Sequence, residues 1–209
     1  MKTDPMAANY ALAEAFGLPT EVVVPVHWEG STVVVFAELD HAELRRRANI
    51  GFGWERDRRT IEVLAELATT GASGSGEVLL RQRAEWAFDR GGLGDLVARP
   101  AIGVAAIVVA GSHARATISR ASSFAPLGRR IALLDRRRRD QDDLVVRASW
   151  LEVGVAVAEE GSVERLAEPG PRCGDDLAYR WWFSELVLAA HLDLSVRQRR
   201  HPSTARRVC

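Results

Sequence analysis

The segment covering residues 61–150 places two helix-like patterns before a run of strand-like segments. In residues 56–70 the apolar positions recur at i, i+3, i+4 and i+7, the spacing of an amphipathic helix, and residues 77–90 repeat this spacing. A turn rich in glycine and serine separates the two patterns, and a break at Pro100 follows. Strand-like segments rich in Val, Ile, Leu and Ala then lie at residues 101–110, 115–119, 130–134, 144–150 and 151–157.

This order of elements predicts an α/β fold of the α+β type. Consecutive strands without intervening helices favour an antiparallel meander, so we expect a largely antiparallel sheet with packed helices. The covering helices are predicted at residues 56–70, 77–90 and 176–191. A chain of 209 residues can bury one good core, so residues 1–195 are expected to form a single domain. The arginine-rich residues 196–209 are expected to be a disordered tail.

The N-terminal part predicts a helix, a hairpin and a second helix. Apolar residues form a stripe along residues 6–16, which favours a short helix. Two β-branched runs flank a Glu-Gly-Ser turn within residues 21–36, which is typical of a hairpin. Pro25 has no N–H to donate to a ladder, so its strand is expected at a sheet edge or a bulge. Asp40 is placed to cap a helix over residues 41–48.

Charge and composition narrow the classes of function. The formal net charge is zero, with 28 basic and 28 acidic residues, so no overall field favours nucleic acid or an anionic membrane. Lys2 is the only lysine, a bias typical of high-GC genomes such as those of actinobacteria. The start lacks the pattern of a secretory signal, and the longest apolar stretch, residues 101–111, has only the length of a strand. These observations favour a cytoplasmic protein without membrane insertion.

The residue types that support catalysis are present but do not form a recognisable constellation. The turn Gly111-Ser112-His113 resembles the opening of a nucleotidyltransferase site, yet no carboxylate pair follows it to hold magnesium. The same turn could supply a triad with Asp135, but it lacks a nucleophile elbow, and a hairpin turn is the simpler interpretation. The histidines are scattered, and the two cysteines do not make a zinc site. The sequence therefore favours a non-catalytic protein without a metal or another cofactor.

A few residues stand out as candidates for contact with a partner protein. The run Arg136-Arg137-Arg138-Arg139 precedes acidic residues, so the loop is either solvated and self-neutralising or a recognition loop. Trp181, Trp182 and Phe183 are consecutive on a predicted helix, where successive residues point about 100° apart, so the three cannot all face the same core. At least one of them is expected at the margin of the core or exposed, and the tryptophans either pack in the core or bind a partner. Tryptophan is enriched at binding hot spots. The candidate partner-binding residues are Arg136, Arg137, Arg138, Arg139, Trp150, Trp181 and Trp182.

Several stretches of the chain resemble a family of secretion chaperones. Residues 59–78, Ala84-Glu85-Trp86 and Leu96-Val97-Ala98-Arg99-Pro100 follow the order of the N-terminal half of the EspG family, the secretion-associated chaperones of actinobacterial ESX (type VII) systems. Residues 11–19 resemble its opening helix, and residues 129–147 its paired strands. The resemblance implies a cytosolic chaperone that holds small helical substrates of the PE-PPE type before export, without catalysis.

A second class of function stays open at this point. The arginines Arg115, Arg129 and Arg147 could bind an anionic small molecule, either in a ligand-binding domain or in an enzyme of unknown reaction. The two hypotheses differ in the kind of partner, a protein in one case and a small anion in the other.

Overall fold

A six-stranded mixed sheet forms the centre of the protein. The computed structural model describes residues 5–49, 58, 61–62, 64–65, 99–159, 162–174 and 176–200. The strands, in the order in which they lie in the sheet, are β1 (Val22–Trp28), β2 (Ser31–Leu39), β3 (Ile102–Gly111), β4 (Arg129–Leu134), β5 (Val153–Glu159) and β6 (Ser162–Ala167). The helices with described bounds are α1 (Pro5–Phe16), α2 (His41–Asn49), α3 (Ala114–Ser122), α4 (Gln141–Trp150) and α5 (Leu177–Arg200).

The pairing of the strands confirms the predicted fold class. The pairs β1/β2, β2/β3 and β5/β6 are antiparallel, whereas β3/β4 and β4/β5 are parallel. Antiparallel pairs thus predominate in a sheet with packed helices. The antiparallel meander predicted after Pro100 is wrong, however, because two neighbouring parallel strands need a crossover between them. The helices α3 and α4 are these crossovers.

Two segments that were predicted as strands are helices, because they form the crossovers between the parallel strands. Residues 115–119 lie in α3, and residues 144–150 lie in α4. The run Leu144-Val145-Val146 has the β-branched residues that favour strands, but Leu144 and Ala148 bury one helical stripe on the sheet. Tertiary packing here overrides local propensity. The paired strands that the chaperone resemblance implies at residues 129–147 are likewise one strand followed by a helix.

In the described part of the chain, the two faces of the sheet carry different helices. On one face, which we call face A, α3, α4 and α5 pack over a large apolar core that includes Ile107, Val155 and Phe183. On the opposite face, face B, α1 packs through Leu12 and Phe16 onto a smaller cluster. Strand β1 shows the period of two that this arrangement requires, since its buried valines alternate with more exposed residues.

The N-terminal predictions are confirmed in detail. Strands β1 and β2 form the expected hairpin. Strand β1 lies at the edge of the sheet, a position that tolerates the missing N–H of Pro25. The carboxylate of Asp40 accepts a hydrogen bond from the backbone N–H of Glu43 at 2.9 Å. Asp40 therefore caps α2 as predicted.

The C-terminal helix is longer than its sequence pattern indicates. Helix α5 continues past residue 191 to Arg200, five residues into the segment predicted as a disordered tail. Residues 201–209 lie outside the described residues, as do the helix predicted at residues 77–90 and most of the one predicted at residues 56–70. Of the helices described, none combines the length and the apolar character that crossing a bilayer requires.

Close packing at one glycine, Gly154, generates a first prediction. A Cβ added at Gly154 would lie 2.8 Å from Cδ of Pro169, whereas one added at Gly103 would meet nothing within 4 Å. We expect Gly154→Ala to lower the free energy of unfolding by about 1–3 kcal/mol because the crowded loop must shift. Urea denaturation measures this loss. The control, Gly103→Ala, is expected to stay within about 0.5 kcal/mol of the wild type, and an equal loss in both variants would contradict the assigned packing.

Candidate functional site

The outward side of α4 carries the most exposed aromatic side chain of the described residues. Leu144 and Ala148 are buried against the sheet, and on the opposite side Val146 is 58 % exposed and Trp150 is 85 % exposed. Val146 and Trp150 are four residues apart and thus lie one above the other on the helix. We call Asp142, Asp143, Val146, Arg147 and Trp150 the α4 face.

The four arginines predicted as a recognition loop lie at the other end of the same helix. They connect the end of β4 to the start of α4, whereas Trp150 lies just before β5. Because β4 and β5 are parallel, these two positions are at opposite edges of the sheet. The helix between them has ten residues, or roughly 15 Å at 1.5 Å per residue. The loop and Trp150 therefore do not form one patch.

The loop is also held by partners that the sequence did not suggest. The guanidinium of Arg137 donates to the carboxylate of Glu164 on β6, and the backbone N–H of Arg137 donates to Glu159 at 2.7 Å. Arg138 donates to the backbone carbonyl of Ser112. Among the described residues, only Arg137 of the run is paired with carboxylates, and these lie on β5 and β6 rather than in the acidic stretch that follows the run. Arg136 and Arg139 remain exposed.

Neither tryptophan of α5 is a free anchor. Trp181 is 1 % exposed, and its indole N–H donates to the carboxylate of Glu185 at 3.0 Å. Trp182 is partly buried and packs edge-to-face on Trp28, with ring centroids 5.0 Å apart. The structure thus places Trp181 in the core and Trp182 at its margin, as the angular spacing on a helix requires.

A buried network of charges ties α5 to α2, and sequence reasoning missed it. Arg47 is 2 % exposed and donates two hydrogen bonds to Glu185, at 2.9 and 2.8 Å. Its Nε donates to Glu43 at 3.0 Å, and its Nη2 also donates to the backbone carbonyl of Arg99 at 2.8 Å. The sequence signal was only the i, i+4 pair of Glu43 and Arg47 on a helix that looked solvated.

Burial and hydrogen bonding shift the pKa of Glu43 in opposite directions. Burial by itself raises the pKa of this carboxyl group, but hydrogen bonds from Arg46 and Arg47 outweigh it. The pKa of Glu43 consequently lies below its ordinary value of 4.5. Glu43 is therefore ionised at neutral pH, and its carboxylate accepts hydrogen bonds from both Arg46 and Arg47 of α2.

A second cluster missed by sequence reasoning surrounds Glu152. The thiol of Cys173 donates to the Oε2 atom of Glu152 at 2.8 Å, and Arg130 donates to the same atom at 3.0 Å. These two hydrogen bonds, first that of Cys173 and then that of Arg130, hold the pKa of Glu152 below its ordinary value. Glu152 has a φ of 54°, and its backbone carbonyl accepts from the N–H of Gly170 at 2.9 Å. The cluster thus fastens residues 168–174 beside the end of α4.

The catalytic alternatives find no support in the geometry. The turn at Ser112 and His113 joins a strand to a helix rather than two strands, so the hairpin interpretation is wrong. Within the described residues, no hydrogen bond links Ser112, His113 and Asp135. In the same part of the chain, His, Cys, Asp and Glu side chains do not gather in the groups of three that could hold a metal ion.

The arginines proposed for an anionic ligand lie at two different edges of the sheet. Arg115 begins α3 at the carboxyl edge of the parallel strands, where it lies 3.9 Å from Asp140 beside an open cleft of about 460 Å³. Arg129 begins β4 at the amino edge, and Arg147 lies in the last turn of α4. The carboxylate Glu168 lies 3.9 Å from Arg129. The three guanidinium groups therefore do not converge on one site.

No protein-family model matches the chain, and neither a curated protein nor a solved structure matches it. The function is therefore inferred from the residues and their geometry.

The buried network generates a prediction about stability. Glu185→Ala leaves Arg47 buried with part of its charge unpaired, so we expect a loss of about 3–5 kcal/mol in the free energy of unfolding. Chemical denaturation monitored by circular dichroism measures it. Glu62→Ala is the matched control, because the Arg58–Glu62 pair is exposed and worth less than about 1 kcal/mol. Similar losses in the two variants would contradict a structural role for the buried pair.

The lowered pKa of Glu43 predicts how stability depends on pH. Because the folded pKa lies below the unfolded value of 4.5, ionised Glu43 stabilises the fold fully above that pH. This contribution is lost as the pH falls through the folded pKa. We expect the free energy of unfolding to fall less steeply between about pH 5 and pH 3 in Glu43→Gln than in the wild type. Identical slopes in denaturation series at each pH would contradict it.

Proposed function

We propose that the protein is a non-catalytic adaptor that holds a partner protein on the α4 face. The observation that carries this proposal is the 85 % exposure of Trp150 on a helix whose opposite side is buried. An exposed tryptophan keeps a large apolar surface in water, and burying it against a partner is favourable.

The surroundings of Trp150 fit the anatomy of a binding surface. An interface typically has an aromatic anchor, nearby apolar area and a rim of polar groups. Here Val146 extends the apolar area by one helical turn, and Asp142, Asp143 and Arg147 supply charges at its border. Leu144 and Ala148 fix α4 on the sheet, so the backbone that carries the anchor is held in place before binding.

The partner that this surface suits best is a helical one. An apolar pair at i, i+4 with charged residues beside it matches an amphipathic helix that lies along α4. Small helical substrates of a type VII (ESX) secretion system have this character, and the chaperone resemblance suggests them as the partner. In this proposal the protein acts in the cytoplasm before export of its substrate.

Co-expression with the genes that neighbour its own, followed by affinity purification and titration, tests the proposal. We expect Trp150→Ala to weaken binding of the co-purified helical protein by about 2 kcal/mol, or roughly 30-fold in Kd, without loss of fold. Tyr10→Ala is the matched control, since Tyr10 is an exposed aromatic residue on α1, which packs on the other face of the sheet. Unchanged binding in Trp150→Ala, or equal losses in both variants, would overturn the proposal.

A further inference from the structure

We infer that a second copy of the same chain covers the α4 face, so that the free protein is a dimer with two-fold symmetry. The inference rests on the proposed function and adds regulation of the same surface, because each copy occupies the partner site of the other until a partner displaces it. Its basis is the arrangement of apolar and charged side chains on α4.

The exposed side chains of α4 form one continuous stripe. At about 100° per residue, Asp143, Val146 and Trp150 fall within an arc of roughly 60° that faces away from Leu144 and Ala148. The apolar side chains of the stripe are accessible to a second helix, since Val146 is 58 % and Trp150 is 85 % exposed. The exposed pair on α5, Leu192 and Val196, includes no aromatic residue and offers a weaker anchor.

The order of charges on α4 is complementary to itself in an antiparallel pair. Asp142 and Asp143 lie in the first turn, and Arg147 lies in the last turn. Within the described part of the chain, no ion pair is made by Asp143 or Arg147. A two-fold axis that passes near Val146, perpendicular to the helix, places the second copy of α4 antiparallel to the first. Residues on one lateral side of the stripe then face residues on the same lateral side of the other copy. Asp143 of each copy then lies next to Arg147 of the other.

The same operation pairs the apolar residues. Trp150 of one copy lies against the N-terminal half of α4 in the other copy. There it covers Val146 and borders Asp143 of that copy. Each contact occurs twice because the interface is isologous. An interface centred on one ten-residue helix is at the small end of the range for specific complexes. We therefore expect a weak dimer that a partner can displace.

Sedimentation equilibrium of the full chain, over a concentration range of about three decades, tests this arrangement. We expect Trp150→Ala, Asp143→Arg and Arg147→Asp each to raise the dimer dissociation constant at least about tenfold, because the first removes the anchor and the others set like charges against each other. An equimolar mixture of Asp143→Arg and Arg147→Asp is expected to dimerise again, since opposite charges then face each other at both contacts.

Circular dichroism of each variant separates a lost interface from a lost fold, and all three positions are exposed. A monomer at every concentration, a dimer that none of the substitutions weakens, or a mixture that stays monomeric would each overturn the inference. Failure of the dimer while Trp150→Ala still weakens partner binding would leave the adaptor proposal standing. A dimer that behaves as expected while Trp150→Ala binds the partner normally would contradict the adaptor proposal alone.

Discussion

The bidentate pair of Arg47 with Glu185 joins α2 to α5 in the buried interior of the fold. It connects residues 138 positions apart, and Arg47 also reaches the backbone carbonyl of Arg99, just before β3. Both side chains are almost wholly buried, so separating them removes a charge-assisted pair in the interior, where incomplete pairing of a charge is costly. The pair thereby fixes the N-terminal half of α5 against α2 and across face A. With that part of face A closed by α5, the remainder is covered by α3 and α4.

The position of α4 determines what the protein can bind. As a crossover between two parallel strands, it must lie on the sheet, and this leaves its other side in solvent. Leu144 and Ala148 face inward, so Val146 and Trp150 cannot. The exposed anchor is therefore a consequence of the crossover.

The elements that were predicted correctly are those in which the local sequence features favour the same structure as the packing in the fold. The hairpin, the Asp40 cap and β3 belong to this group, because turn residues, β-branched runs and capping chemistry all indicate the same structure. Helix α4 does not, since Leu144-Val145-Val146 favours a strand and only the packing of Leu144 and Ala148 makes it a helix. Arg47 was not predictable either, because it follows two other arginines in a run typical of a solvated surface. The same limit applies to Trp150, whose exposure follows from the helix rather than from the local sequence.

Oxidative footprinting of the tryptophans tests the central claim most directly, since hydroxyl radicals label accessible side chains in solution. In dilute chain we expect strong labelling of Trp150 and almost none of Trp181, because the first is 85 % and the second 1 % exposed. Adding the co-purified partner should then protect Trp150 while Trp28, Trp181 and Trp182 change little. Protection of Trp150 already in the dilute chain, or labelling that the partner leaves unchanged, would contradict the account.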